Sequence, residues 1–130
     1  MADNPMLEFA AVFVEEAGGR LTELRRCVDV LAAASTPEEC EKARISSHTI
    51  RGMSAQMGYE DIAKVAKEVE LLFVALKKKG SAPSAEMVAA VRDCTTALET
   101  LFNGLAKGAP ATVDADGLVA RMQAFTGAIA

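Results

Sequence analysis

The chain has 130 residues, half of them apolar, and a net charge of −4, enough for one domain that buries about two-thirds of its unfolded surface. No uninterrupted apolar run approaches the ~20 residues that span a membrane. The acidic balance, the missing Trp and the single Tyr argue against a nucleic-acid binder, which needs a basic stripe or stacking platforms.

At the N-terminus, Met1-Ala-Asp-Asn-Pro5 offers neither a basic n-region nor a signal-peptide core. Cys27, Cys40 and Cys94 stand singly, and with one histidine their spacing fits no zinc knuckle or finger. No metal site is expected, and an odd number of cysteines without a secretion signal favours reduced thiols in the cytoplasm. A first helix is read from about Pro5 to Ala33, with Pro5 suited to its first turn. Phe9, Phe13, Ala17, Leu21, Leu24, Val28 and Leu31 recur at three- and four-residue steps, which makes one buried stripe. Gly18-Gly19 interrupts the stripe, which resumes in phase at Leu21. The helix is therefore expected to continue, either bent there or crossing a neighbour closely.

Thr36-Pro37-Glu38-Glu39 marks the clearest boundary. Thr36 is the N-cap, Pro37 takes the first helical position, and Glu39 closes a capping box. The second helix that opens there ends at Gly58, the usual residue for a left-handed cap. At about 100° per residue, Ala43, Ser46, Ser47, Met53, Ser54 and Met57 fall within roughly 60° of Ile50, the centre of the buried face. His48, the only histidine, lies about 160° from Ile50 on the wet side. Arg44 and Arg51 flank it one turn before and after, with Ile45, Gly52 and Ala55 beside it. Glycine inside a helix costs up to about 1 kcal/mol relative to alanine. Gly52 is read as clearing space for something to approach the imidazole.

A third helix runs from near Glu60 to about Lys79, with Ile62, Val65, Ala66, Val69, Leu72, Phe73 and Leu76 as its stripe. Lys77-Lys78-Lys79 before Gly80 is a solvated, capped helix end. After the Ser81–Ser84 loop, Met87, Val91, Cys94, Leu98, Leu101 and Leu105 define a fourth helix. Small residues from Gly104 to Pro110 open a linker, set at about 106–113. A shorter helix follows from about 114 to 129, with Leu118, Met122, Phe125 and Ile129 on one face. No strand pattern and no internal repeat is present. The fold class is all-α: an up-down antiparallel four-helix bundle over about 5–105, with an additional C-terminal helix as an appendage. The whole chain, 1–130, is read as one domain.

His48-x-Ile50-Arg51-Gly52-x-Ser54-Ala55-x-x-Gly58 resembles the signature of histidine-containing phosphotransfer (HPt) domains: His, any, Leu or Ile, Lys, Gly, any, Ala or Ser, a small residue, two variable positions, then Gly or Leu. The likeness continues through Tyr59 to Phe73 and back to Phe13-Val-Glu-Glu-Ala17, covering about residues 5–105. It is nearest to the N-terminal phosphotransfer domains of chemotaxis histidine kinases of the CheA type. The resemblance implies that His48 is phosphorylated by a histidine kinase catalytic domain and passes the phosphoryl group to an aspartate of a CheY-like response regulator. It puts a Glu at position 70, hydrogen-bonded to the phosphorylated histidine. Arg51 stands where the family has Lys. Lys67 stands where many chemotaxis kinases have a second histidine.

The residues support the same chemistry. Phosphoryl transfer to histidine needs a neutral ring nitrogen in line, a fixed tautomer, and positive charge for the transferring oxygens. Glu70 lies about 100° from Val69, at the edge of the third helix's stripe, placed to reach across and orient His48. Arg51 supplies charge through a planar fork of donors. Lys67, on the wet side a turn before Glu70, is placed to pair with it or with the phosphoryl group. Arg44, Ile45, Gly52 and Ala55 make a small flat patch for a partner. No phosphate-binding Gly-rich loop and no Asp/Asn pair for magnesium is present. ATP and magnesium are therefore assigned to the partners, with no cofactor in this domain. The chain is not a kinase by itself; it is expected to be a monomeric carrier and the first domain of a longer kinase. A non-catalytic helical adaptor or dimerisation domain is the alternative.

Overall fold

The computed structural model describes the backbone of residues 5–129 and the side chains of residues 8–129. It contains α1 (Pro5–Ala33), α2 (Pro37–Met57), α3 (Glu60–Lys79), α4 (Ala85–Ala106) and α5 (Ala115–Ile129), and no strand among the described residues. The local signals explain the boundaries. Thr36 accepts a hydrogen bond from the Glu39 N–H and Pro37 opens α2. Ser84 caps α4 by accepting from the Met87 N–H, and Asp114 accepts from the Gly117 N–H at the start of α5. Gly58 and Gly80 take φ of 76° and 67°, the left-handed conformation that closes α2 and α3. One half of the expected capping box is replaced. The Glu39 carboxylate goes instead to Arg26 of α1 at 3.0 Å and to Lys42 at 3.8 Å.

Pairs between helices give the register. Arg26 meets Glu39, and Phe13 meets Tyr59 at 4.9 Å between ring centres, so α1 and α2 are antiparallel. Glu41–Lys77 and Arg51–Glu70 run α2 against α3. Arg25–Glu99 and Asp29–Arg92 run α4 against α1. The result is an up-down bundle, the arrangement that short loops favour. Its core includes Leu24, Ile50, Val69, Leu72 and Leu98 at 0% exposure; each such side chain contributes about 1.5–3 kcal/mol through burial.

Several expectations shift. Phe9 is 58% exposed, and Ala10 turns inward in its place. Both lie one turn before Phe13, so periodicity cannot choose between them, and it is Phe13 that meets Tyr59 and Phe102 edge to face. Met53 and Met57 are only partly buried at the margin of the core. α1 passes unbroken through Gly18-Gly19, and a Cβ at either would meet nothing within 4 Å, which removes the close-crossing explanation. α4 runs beyond Gly104 to Ala106. Gly104 is itself buried because the chain folds back over it: a Cβ there would lie 2.8 Å from the Ala109 carbonyl oxygen. α5 is more than an appendage. It packs on α3 and α4, and its Met122 is fully buried.

Candidate functional site

α2 turns a face of small residues inward: Ala43, Ser46, Ser47 and Ser54 are all buried. Ser47 donates to the Ala43 carbonyl at 2.9 Å and Ser54 to the Ile50 carbonyl at 2.7 Å. Their hydroxyls are thus satisfied within the helix and demand nothing of α3. The small face sets α2 close against α3, its most extensive neighbour. His48 points out from the opposite side, with its ring 64% exposed.

The ring is held from below. Glu70 is 7% exposed, deeper than the stripe-edge position the sequence indicated. Its Oε2 lies 2.7 Å from His48 Nδ1, and its Oε1 accepts from Arg51 Nη1 at 2.9 Å. An ionised carboxylate only accepts, so Nδ1 is the donor, and in the neutral ring that tautomer leaves the lone pair on Nε2. Burial works against the Glu70 charge, yet the hydrogen bonds from Arg51 and His48 outweigh it and hold the carboxyl below its ordinary value. Three residues from two helices form one unit in which the buried member is the acid and the two exposed members are the bases.

The other expected residues fall outside that unit. Lys67 is exposed and, among the described residues, has no ion-pair partner; the pair with Glu70 belongs to Arg51. Lys67 instead borders a recess of about 360 Å³ between α2 and α3, lined also by Arg51, Ala55, Gly58, Glu60, Ala63 and Lys64. Arg44 is gripped by Glu41 through two hydrogen bonds of 2.6 and 2.9 Å. Arg44, and then Lys77 at 3.3 Å, draw the Glu41 carboxyl down to about 2. Ile45 is 43% exposed, on the outward face with His48. Gly52 and Ala55 are exposed too, and a Cβ at Gly52 would meet nothing within 4 Å. Packing within this chain therefore does not require glycine there.

Sequence reasoning missed Glu41, although its place three residues before Arg44 is a readable helix pair. It also missed Lys64, which bonds Asp116 of α5 at 2.8 Å and lies 3.5 Å from Asp61. That pair has no local signal, since it depends on where α5 docks. Among the described residues no group of His, Cys, Asp or Glu is arranged to hold a metal ion, and no helix is long and apolar enough to cross a membrane.

The Hpt domain family model matches residues 8–104. Two curated proteins named "Chemotaxis protein CheA", from Listeria monocytogenes serovar 1/2a and Listeria innocua serovar 6a, are each 29% identical to the chain over 80 residues. That stretch is 62% of this chain and 13% of each relative. No solved structure matches the chain. The linker and α5 lie beyond the family match.

Proposed function

The chain belongs to the Hpt domain family, and from that premise we propose that it carries a phosphoryl group on His48 in two-component, chemotaxis-type signalling. The observation that supports this most directly is the buried Glu70 bonded to Nδ1 of an otherwise exposed imidazole. A histidine kinase catalytic domain presents ATP, and the Nε2 lone pair attacks the γ-phosphorus. An N–P bond forms, the P–O bond to ADP breaks, and ADP leaves with the bond's electrons. As positive charge grows on the ring, the Nδ1–H to Glu70 bond strengthens and offsets it. Arg51 keeps Glu70 ionised, and its guanidinium, 40% exposed, faces the incoming oxygens together with Lys67. In the return step an aspartate of a CheY-like response regulator attacks the same phosphorus, the N–P bond breaks, and Nε2 recovers its lone pair. Magnesium and nucleotide belong to those partners.

Ile45, Gly52 and Ala55 are the flat ground on which a partner's active-site rim rests, with Arg44 at its margin. Affinity there is micromolar, because a carrier must release one partner to meet the next. Both transfers take place in the cytoplasm, and the domain acts as a monomer.

Incubation with a histidine kinase catalytic domain and ATP tests the reading. The product is expected to be a single phosphoramidate, stable in base and labile in acid. His48→Gln should remove all of it at unchanged helix content, because position 48 faces solvent. Label surviving in that variant, or phosphoserine at Ser46 or Ser47, would refute the carrier role and leave an adaptor bundle.

A further inference from the structure

The charges at the site balance before loading and do not balance after it. Before loading, the buried Glu70 carboxylate is matched by one guanidinium, that of Arg51, beside a neutral ring. A phosphoryl group on Nε2 adds about two negative charges, across the ring from a carboxylate that cannot turn to water. Arg51 meets Glu70 through Nη1 alone, at 2.9 Å, and its side chain is 40% exposed. Its remaining donors are open to the phosphoryl oxygens one turn away on the same helix. As Arg51 turns to them, Glu70 loses part of its own match.

The surroundings leave one cation to replace it. Arg44 is gripped by Glu41, Lys77 shares that same acid, and Lys64 is held by Asp61 and Asp116. Lys67 is exposed and, among the described residues, forms no ion pair, not even with Glu60, the carboxylate that lines the same recess. It stands three residues before Glu70 on α3, the spacing that makes helical side chains neighbours. It also shares the recess of about 360 Å³ with Arg51, so its ammonium has room to swing. A helical side chain leans back over the turn before its own Cα, which brings Arg51 toward His48 and Glu70 toward Lys67. Of the two negative groups that Lys67 then faces, Glu70 is the one on its own helix. We propose that Lys67 is the second counter-ion of Glu70: when His48 is loaded, Arg51 turns to the phosphoryl oxygens and Lys67 takes over the carboxylate. The exchange keeps Glu70 ionised and bonded to Nδ1 while the phosphoryl group is in place. It rests on the carrier reading of His48 and makes Lys67 a positioning residue, acting through Glu70 and only in the loaded state.

The equilibrium level of loading tests this, with the full chain, a fixed ratio of ATP to ADP, and a histidine kinase catalytic domain as catalyst. A catalyst sets how fast that level is reached and not where it lies, so a changed fit between position 67 and the kinase leaves it untouched. Lys67→Met should lower the ratio of phosphorylated to free His48 about fivefold, the upper range for an exposed ion pair, and Lys67→Arg should restore it. In a Glu70→Gln background, which is slow to load but is read once the level is constant, Lys67→Met should change nothing further. The unphosphorylated Lys67→Met chain should keep the wild-type thermal midpoint, since Lys67 makes no ion pair there. An unchanged equilibrium in Lys67→Met would overturn the exchange. So would a loss that persists in the Glu70→Gln background, because Lys67 would then be meeting the phosphoryl oxygens directly. A wild-type chain whose His48 takes no phosphoryl group from any kinase catalytic domain would overturn the carrier reading instead.

Discussion

Ion pairs join helices along several seams of the bundle, and two of these seams, α1–α4 and α2–α3, are built differently. Along α1–α4, Arg25 pairs with Glu99 and Arg92 with Asp29, and all four side chains are 43–69% exposed. Along α2–α3, His48 and Arg51 converge on a carboxylate whose side chain is 9% exposed. In the first case water can replace either partner at little cost. In the second the acid cannot turn to water, so it stays fixed at the imidazole and the imidazole stays fixed at its tautomer. A polar seam becomes a reactive one when the acid is buried and the bases are not.

Glu70→Ala breaks that contrast most deeply. Without the carboxylate the ring is free to rotate and to exchange tautomers, and loading of His48 is expected to slow about 10- to 100-fold, as when a metal-bound histidine loses its supporting carboxylate. Stability should change little, since both remaining partners reach solvent. Phosphorylation kinetics and a thermal midpoint on one sample check both halves. A normal loading rate with a collapsed midpoint would make Glu70 a structural residue and the two seams alike.

Removing the base inverts the effect. Arg51→Ala leaves a buried carboxylate with His48 as its remaining partner, and an underpaired buried group costs about 1–3 kcal/mol. Burial is the largest influence on Glu70, and it opposes ionisation; the Arg51 bond is the first of those that overcome it. The Glu70 carboxyl should therefore rise in the variant. In the wild type the folded pKa is depressed, so Glu70 contributes stability above its unfolded value near 4.5, and that contribution is lost as pH falls through the lower folded value. In Arg51→Ala the folded value moves up toward the unfolded one, so the loss on acidification should be smaller and complete at a higher pH. Thermal unfolding of both proteins from pH 7 down to pH 3 would show it, and superimposable curves would mean that Arg51 does not hold the charge.

Much of this was legible in the chain. Thr36-Pro37, Gly58, Gly80 and Ser84 mark helix ends through their own local chemistry, and the phase about Ile50 turns His48 outward. The phase about Val69 turns Glu70 toward α2 but gives only a direction. Its depth depends on how near α2 approaches, which Ser47 and Ser54 permit by bonding to their own helix. Lys67 shares the wet side with Arg51's reach, and nothing in the spacing decides which cation takes Glu70. The Lys64–Asp116 pair joins residues whose meeting depends on a helix beyond the family match. Phe9 and Ala10 were indistinguishable because both lie one turn from Phe13.

The α1–α4 seam should give the smallest effect of all. Arg92 Nη1 donates to Asp29 at 2.7 Å, a shorter bond than that of Arg51 to Glu70 at 2.9 Å, so distance alone would rank it as the stronger pair. Exposure reverses the ranking. Asp29 is 69% exposed, and water takes the vacated place when Arg92 is truncated, so Arg92→Ala should cost no more than about 1 kcal/mol. That cost should shrink further in salt, which screens surface charges over about 10 Å at 0.1 M. His48 loading should be unchanged, because neither residue touches α2 or α3 through these bonds. Denaturant unfolding at low and high salt, with kinase loading on the same preparation, checks the three statements together. A loss comparable to that of Arg51→Ala would show that burial of the acid is not what separates the seams.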